Sequence, residues 1–278
     1  MNANRQAALP ASARFSAWQL IRKTYAADLT RSRTIISILI GAAAWEFGAR
    51  YLFDNPLILV PLTAVFQSFL KLISTGELQK HIYVSMVEFS LGFVLAVVVG
   101  ITLGMITATS RTARDYVDPW ISALYTTPSV ALAPLFIIWF GIDIGSKIAV
   151  IFLVSVFPII INTATGIRST DNNLIEAARS FGANQTQIFT NVLLPSATPF
   201  IVAGLRLGIG RGLVGIVVGE MFGSRAGLGF LIVAAGQTFD TAGLFVGVLT
   251  LAIAGIIAVE LCKWVEKRLA PWREFKYD

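Results

Sequence analysis

The chain is 278 residues long, 55% hydrophobic and 14% charged, with a mean hydropathy of +0.72. Those values exclude a water-soluble domain and point to an all-α polytopic membrane bundle, because a span in lipid must satisfy its own backbone groups. One cysteine, Cys262, rules out an intramolecular disulfide, and one histidine, His81, leaves a Cys/His metal cage without ligands.

Residues 1–34 are polar and carry six basic side chains (Arg5, Arg14, Arg22, Lys23, Arg31, Arg33), with no apolar core before Ile35. That layout is not a cleavable signal peptide. Phe15, Trp18, Tyr25 and Leu29 fall near one helical face, so the segment reads either as a helix lying in the headgroup layer or as a disordered basic tail. Six apolar windows follow, at 35–53, 83–108, 119–140, 147–167, 197–222 and 243–263, each near the roughly 20 residues that cross a hydrocarbon core. The apolar stretch 56–74 is broken by Pro56, Pro61, Gln67, Ser68 and Lys71 and is expected as a short surface or re-entrant helix. The expected organisation is a basic segment over 1–34, a first span plus extracytoplasmic surface helix over 35–78, a main transmembrane domain over 79–263, and a basic tail over 264–278.

Lysine and arginine gather on the cytoplasmic side of membrane proteins. With six spans, one side holds 15 of the 22: the N-terminal segment, Arg111 and Arg114, Arg168 and Arg179, and Lys263, Lys267, Arg268, Arg273 and Lys276. The other side holds 5 (Arg50, Lys71, Lys80, Lys147, Arg225), and Arg206 and Arg211 lie within a span. Both termini and the polar segment near residue 180 are therefore expected in the cytoplasm, and the net charge of +6 reflects topology rather than nucleic-acid binding.

Helices in lipid associate through close approach at small residues. Gly204, Gly208 and Gly212, then Gly215, Gly219 and Gly223, mark the fifth window as the principal packing helix, with Gly100 and Gly104 doing the same in the second and Gly243 and Gly247 in the sixth. Pro128, Pro134 and Pro158 bend their helices, either at a pathway wall or as packing kinks. Glu46, Glu88, Arg206, Arg211, Glu220 and Glu260 lie at or within spans, where each charge needs a partner, water or a headgroup. Arg206 is near enough to a span end to snorkel. Arg211 is deeper, and is expected to pair with Glu88 or Glu220 or to line an aqueous path taken by an anion.

Between the fourth and fifth spans the chain turns polar. Asn173 is placed to cap a helix with Glu176 at its third position, Gly182 closes that helix, and Asn184 with Gln187 opens a second, which Pro195 is expected to end. Residues 182–191 have few apolar positions and no lysine or arginine, which suits a protein partner better than a lipid surface. The segment Glu176-Ala177-Ala178, Gly182, and then Val192, Leu194 and Pro195 resembles the EAA motif of bacterial binding-protein-dependent ABC importer permeases, with Val192 where isoleucine is usual.

The resemblance extends over about 79–263. Its finer texture is similar to the branch that imports aliphatic sulfonates, taurine or nitrate, in Thr127 to Leu135, Trp139 to Asp143 with Ser146-Lys147, and Gly219 to Ser224 with Gly227-Leu-Gly229. Glu88 departs from that branch, which often has arginine there. The resemblance implies a type I ABC importer permease fold and a non-catalytic subunit that binds no cofactor itself. It further implies separate ATPase subunits that bind ATP and Mg, a second permease copy, an extracytoplasmic solute-binding protein, and placement in the bacterial inner membrane. Glu176 would anchor the ATPase, Ala177 and Ala178 would permit close approach, and Gly182 would set the bend. No Gly-x-x-x-x-Gly-Lys-Ser/Thr loop occurs in the chain. The competing class is an ATP-independent channel or ion-coupled carrier.

Overall fold

A computed structural model describes residues 32–53 and 55–269. The basic N-terminal segment, apart from residues 32–34, and residues 270–278 of the basic tail lie outside the described residues. Every regular element among the described residues is helical. The elements are α1 (residues 32–51), α2 (Leu62–Ser74), α3 (Glu77–Thr109), α4 (Arg111–Thr126), a 3-10 turn (Ser129–Leu132) and α5 (Ala133–Phe140). They continue with α6 (Ile144–Arg168), α7 (Asn172–Ser180), α8 (Gln185–Ile188), a π turn (Phe189–Leu193), α9 (Leu194–Gly223), α10 (Leu228–Gln237) and α11 (Thr241–Leu269).

Two compact units share the chain, Met1–Ala64 and Val65–Asp278. In the first, the Trp45 indole donates to the Val60 carbonyl at 3.0 Å. Glu46 accepts from Arg50 at 2.6 Å and from the Thr63 hydroxyl at 3.0 Å, so this charge near the end of α1 is paired. Leu62, following Pro61, opens α2, the short helix expected within 56–74.

Four helices among the described residues are long and apolar enough to cross a membrane: Glu77–Thr109, Ile144–Arg168, Gln185–Gly223 and Thr241–Arg268. They contain the windows at 83–108, 147–167, 197–222 and 243–263. The 119–140 window is not one straight span. Arg111–Thr126 and Ser129–Phe140 meet at 87°, because Pro128 lacks a donor and its ring drives Thr127 out of the helical region, to ψ 134. α11 runs on to Leu269, past the expected boundary at 263.

α6 is the central element: 61% of its apolar window is buried, against 22% for α3 and for α11. α3 runs parallel to it. A Cβ on Gly92 would press on Ile151, on Gly100 on Ile159, and on Gly104 on Thr163, at 2.6–2.9 Å, a constant offset of 59 residues that makes the whole stripe one seam. α9 runs antiparallel on another side. Gly204 faces Asn162, Gly208 faces Ile159, Gly212 faces Ser155, Gly215 faces Val154 and Gly219 faces Lys147. The Ser155 hydroxyl donates to the Gly208 carbonyl at 3.1 Å, and it stands 2.7 Å from where a Cβ on Gly212 would be. Gly104→Val should destabilise the detergent-purified protein by about 1–3 kcal/mol, read as a drop in melting temperature. Gly41→Ala, whose Cβ meets nothing within 4 Å, should leave it unchanged.

Candidate functional site

Three polar assemblies interrupt the apolar bundle: an elbow between α6 and α9, an arginine half-way along α9, and a buried cluster at the end of α9 opposite the elbow.

The elbow begins at Asp171, whose carboxylate accepts from the Asn173 N–H at 2.9 Å and caps α7. Asn173, expected as the cap, is inside the helix. Asp171 takes the role because it precedes the first helical residue in the extended conformation a cap requires. Gly182 has φ +80°. Its N–H donates to Arg179 O at 2.9 Å, and that of Ala183 to Ala178 O at 3.0 Å, the paired bonds of a Schellman closure. Asn184 and Gln187 then form a reciprocal capping box at 2.8 and 2.9 Å.

The second helix does not stop at Pro195. It passes through the π turn, in which the Leu194 N–H reaches back to Phe189 O, and continues into α9 as one 39-residue helix. The wider turn gives room to the proline ring and absorbs the donor that Pro195 lacks. Val192, Leu194 and Pro195 are half-buried at this root, while Glu176 and Ala177 are exposed and Ala178 is half-buried. α7 buries none of its residues, and Phe181 is 91% exposed.

Arg211 reaches neither Glu88 nor Glu220. It donates from Nη2 to the Tyr125 hydroxyl at 3.2 Å and stacks over that ring at 5.2 Å. Arg206 does not snorkel; it pairs with Glu266 of α11, a residue 2% exposed. Glu266 gave no sequence signal beyond being the lone acid among Lys263, Lys267 and Arg268. Glu260 pairs with Lys263 at 2.5 Å on the surface.

At the opposite end, α9 stops at Gly223 and the chain turns back at once into α10, bringing a helix C-terminus and a helix N-terminus together in the interior. Their orphan groups need partners. Lys147, 3% exposed, donates to the carbonyls of Gly223 at 2.8 Å and Asp143 at 3.0 Å, and to that of Ile142, placing a cation at the negative end of α9. Glu220, 1% exposed, accepts from the Gly229 N–H and the Ser85 hydroxyl, both at 2.6 Å. Ser85 in turn accepts from the Leu228 N–H at 2.7 Å, and His81 Nδ1 from the Gly227 N–H at 3.0 Å. Glu88, one turn on from Ser85 in α3, is 4% exposed, and its Oε2 finds no hydrogen-bond partner.

Ser146-Lys147, Glu220 and Gly227-Leu-Gly229 were separate motif fragments in the sequence; here, with Ser85, they form one clasp. The sequence placed Lys147 on the side poorer in basic residues and gave His81 no role beyond leaving a metal cage without ligands, and no periodicity marked Lys147 as buried. Gly227, at φ +126°, has no room for a Cβ because the Glu220 carboxyl occupies that place. Gly227→Ala should therefore open the clasp at a cost of roughly 1–3 kcal/mol, detected as faster tryptic cleavage after the exposed Arg225 in the detergent-purified protein.

Residues 100–271 match the family model described as the binding-protein-dependent transport system inner membrane component. The chain is 37% identical over 232 residues to SsuC of Bacillus subtilis, named for aliphatic sulfonates transport, covering 83% of this chain and 84% of that one. It is 31% identical to the taurine transport system permease protein TauC of Escherichia coli, covering 92% of each. Against the formylaminopyrimidine transport permease protein ThiX of Halalkalibacterium halodurans it is 33% identical, covering 83% and 91%. Among solved structures, the MetNI methionine ABC transporter in an inward-facing form matches with TM-score 0.60 at 18% identity, over 69% of this chain and 95% of that one. An amino acid ABC transporter solved with histidines matches with TM-score 0.60 at 17% identity, over 72% and 98%. A channel or ion-coupled carrier is not favoured by these likenesses. The chain belongs to the binding-protein-dependent inner membrane component family and is an inner-membrane permease of an ABC importer.

Proposed function

We propose that the chain forms half of a two-fold pathway for a small anion of the sulfonate or taurine kind, driven by separate ATPase subunits that dock on the cytoplasmic elbow and bind ATP and Mg2+. The α7 surface carries this reading. Leu174, Ala177 and Phe181 recur at helical spacing, are exposed, and lie beside Glu176 on a short helix whose conformation is pinned at both ends by its own caps. An aromatic ring left in water on a rigid mount is an anchor for a partner groove.

Glu176 supplies the polar contact, Ala177 and Ala178 keep the approach close, and Gly182 fixes the angle. Val192, Leu194 and Pro195 root the elbow in α9. A solute-binding protein delivers the anion at the clasp end, and a second copy of the chain completes the walls. The sulfonate and taurine names of similar permeases support the substrate class.

Gly182→Val places a β-branched residue at φ +80°, which that side chain rarely adopts. In proteoliposomes holding the permease, its ATPase and its loaded receptor, this variant should reach the membrane at the parental level yet lose receptor-stimulated ATP hydrolysis and uptake. Uptake at the parental rate, or uptake by the unaltered protein without ATPase or ATP, would overturn the assignment.

A further inference from the structure

Arg211 sits 12 residues before the end of α9 and 17 after its start, about 18 Å and about 25 Å of helix from the two ends. That is too deep for its head to reach an interface. No carboxylate pairs with it among the described residues, in contrast to Arg206, which the buried Glu266 neutralises. Tyr125 takes Nη2 and covers one ring-facing side of the guanidinium, leaving further N–H donors open.

The surface around it is open as well. Leu207 and Val214, one turn to either side, are exposed, and a Cβ on Gly210 would meet nothing within 4 Å. A cleft of about 330 Å3 leads from Tyr125 past Ser122 and Thr126 to Arg168 and Asp118 at the elbow end, so polar groups continue from mid-depth to one side of the bundle. An uncompensated cation at this depth facing lipid is strongly disfavoured, whereas one facing a water-filled path is a functional element.

We infer that Arg211, steadied by Tyr125, is an anion-binding station half-way along the pathway, taking the oxyanion head group of a small organic substrate. The planar fork of the guanidinium matches two oxygens of a sulfonate or carboxylate, and the Tyr125 ring holds that fork in one orientation. At the elbow end of the cleft Arg168 is paired with Asp118 at 3.7 Å, unlike Arg211. The inference rests on the chain being an importer of small anions, and gives that reading a specificity-determining residue.

The test uses the assembled transporter in vesicles with Cys262→Ser and Val214→Cys, and separately Gly210→Cys as a position with free space. Each introduced thiol is reacted with anionic 2-sulfonatoethyl methanethiosulfonate and with cationic 2-(trimethylammonium)ethyl methanethiosulfonate. The expected result is reaction at one or both positions with a preference for the anionic reagent, over that seen with free cysteine, of about tenfold. Adding Arg211→Gln should abolish that preference and Arg211→Lys should keep it.

In the same background without either cysteine, Arg211→Gln should raise the KM for ethanesulfonate uptake more than it lowers kcat. Absence of reaction at both positions, or a preference indifferent to Arg211→Gln, overturns the station. If either occurs while uptake still requires the ATPase, the permease assignment stands and only the station falls. If uptake proceeds without the ATPase, that assignment falls whatever the labelling shows.

Discussion

The bundle depends on how closely α3 and α9 can lie against α6. Lipid removes the hydrophobic drive that would bring soluble helices together, so dispersion contacts and a few interhelical hydrogen bonds must hold the spans. Both need backbones nearly in contact. Gly92, Gly100 and Gly104 on one side of α6, and Gly204, Gly208, Gly212, Gly215 and Gly219 on another, lack side chains where Ile151, Ile159, Thr163, Ser155 and Lys147 approach. Because each pair repeats at a fixed register, sliding a helix by one residue would misplace the whole seam.

Close approach also decides where polar groups can be kept. A helix end buried in the interior needs donors and acceptors brought by its neighbours, and α9 lies near enough to α3 and α6 for Ser85, His81 and Lys147 to reach its terminus and the start of α10. The clasp is thus a consequence of the glycine seams rather than a separate feature. Glu88 is its imperfect member, with an oxygen that nothing satisfies.

Three polar features occur on a single continuous helix, Gln185–Gly223. Its first turns carry the elbow's root, Arg211 lies 26 residues from its start and 12 from its end, and its last turn carries Glu220. Such a rod, with Pro199 between the elbow and Arg211, joins the elbow to the mid-depth cation and the clasp. The π turn at Phe189–Leu193 is where its geometry departs from regular α-helix, and it lies where Pro195 would otherwise have broken the rod. The acidic and aromatic edge of α7 therefore sits on a lever whose far end is anchored by buried hydrogen bonds.

The amino-acid sequence by itself determined the membrane class, four of the spans, the left-handed turn at Gly182 and the capping box at Asn184, because each rests on composition or on contacts within a few residues. It also marked the elbow as a motif, since polarity and turn chemistry coincide there. The cap at Asp171, the continuation through Pro195 and the 87° break at Pro128 were decided by local alternatives that the sequence left equally open or misordered. The partners of Arg206, Arg211 and Glu220 came only from the tertiary structure. Charge pairing inside a bundle depends on which faces the helices turn toward one another, and periodicity within one helix says nothing of the rotation of its neighbour.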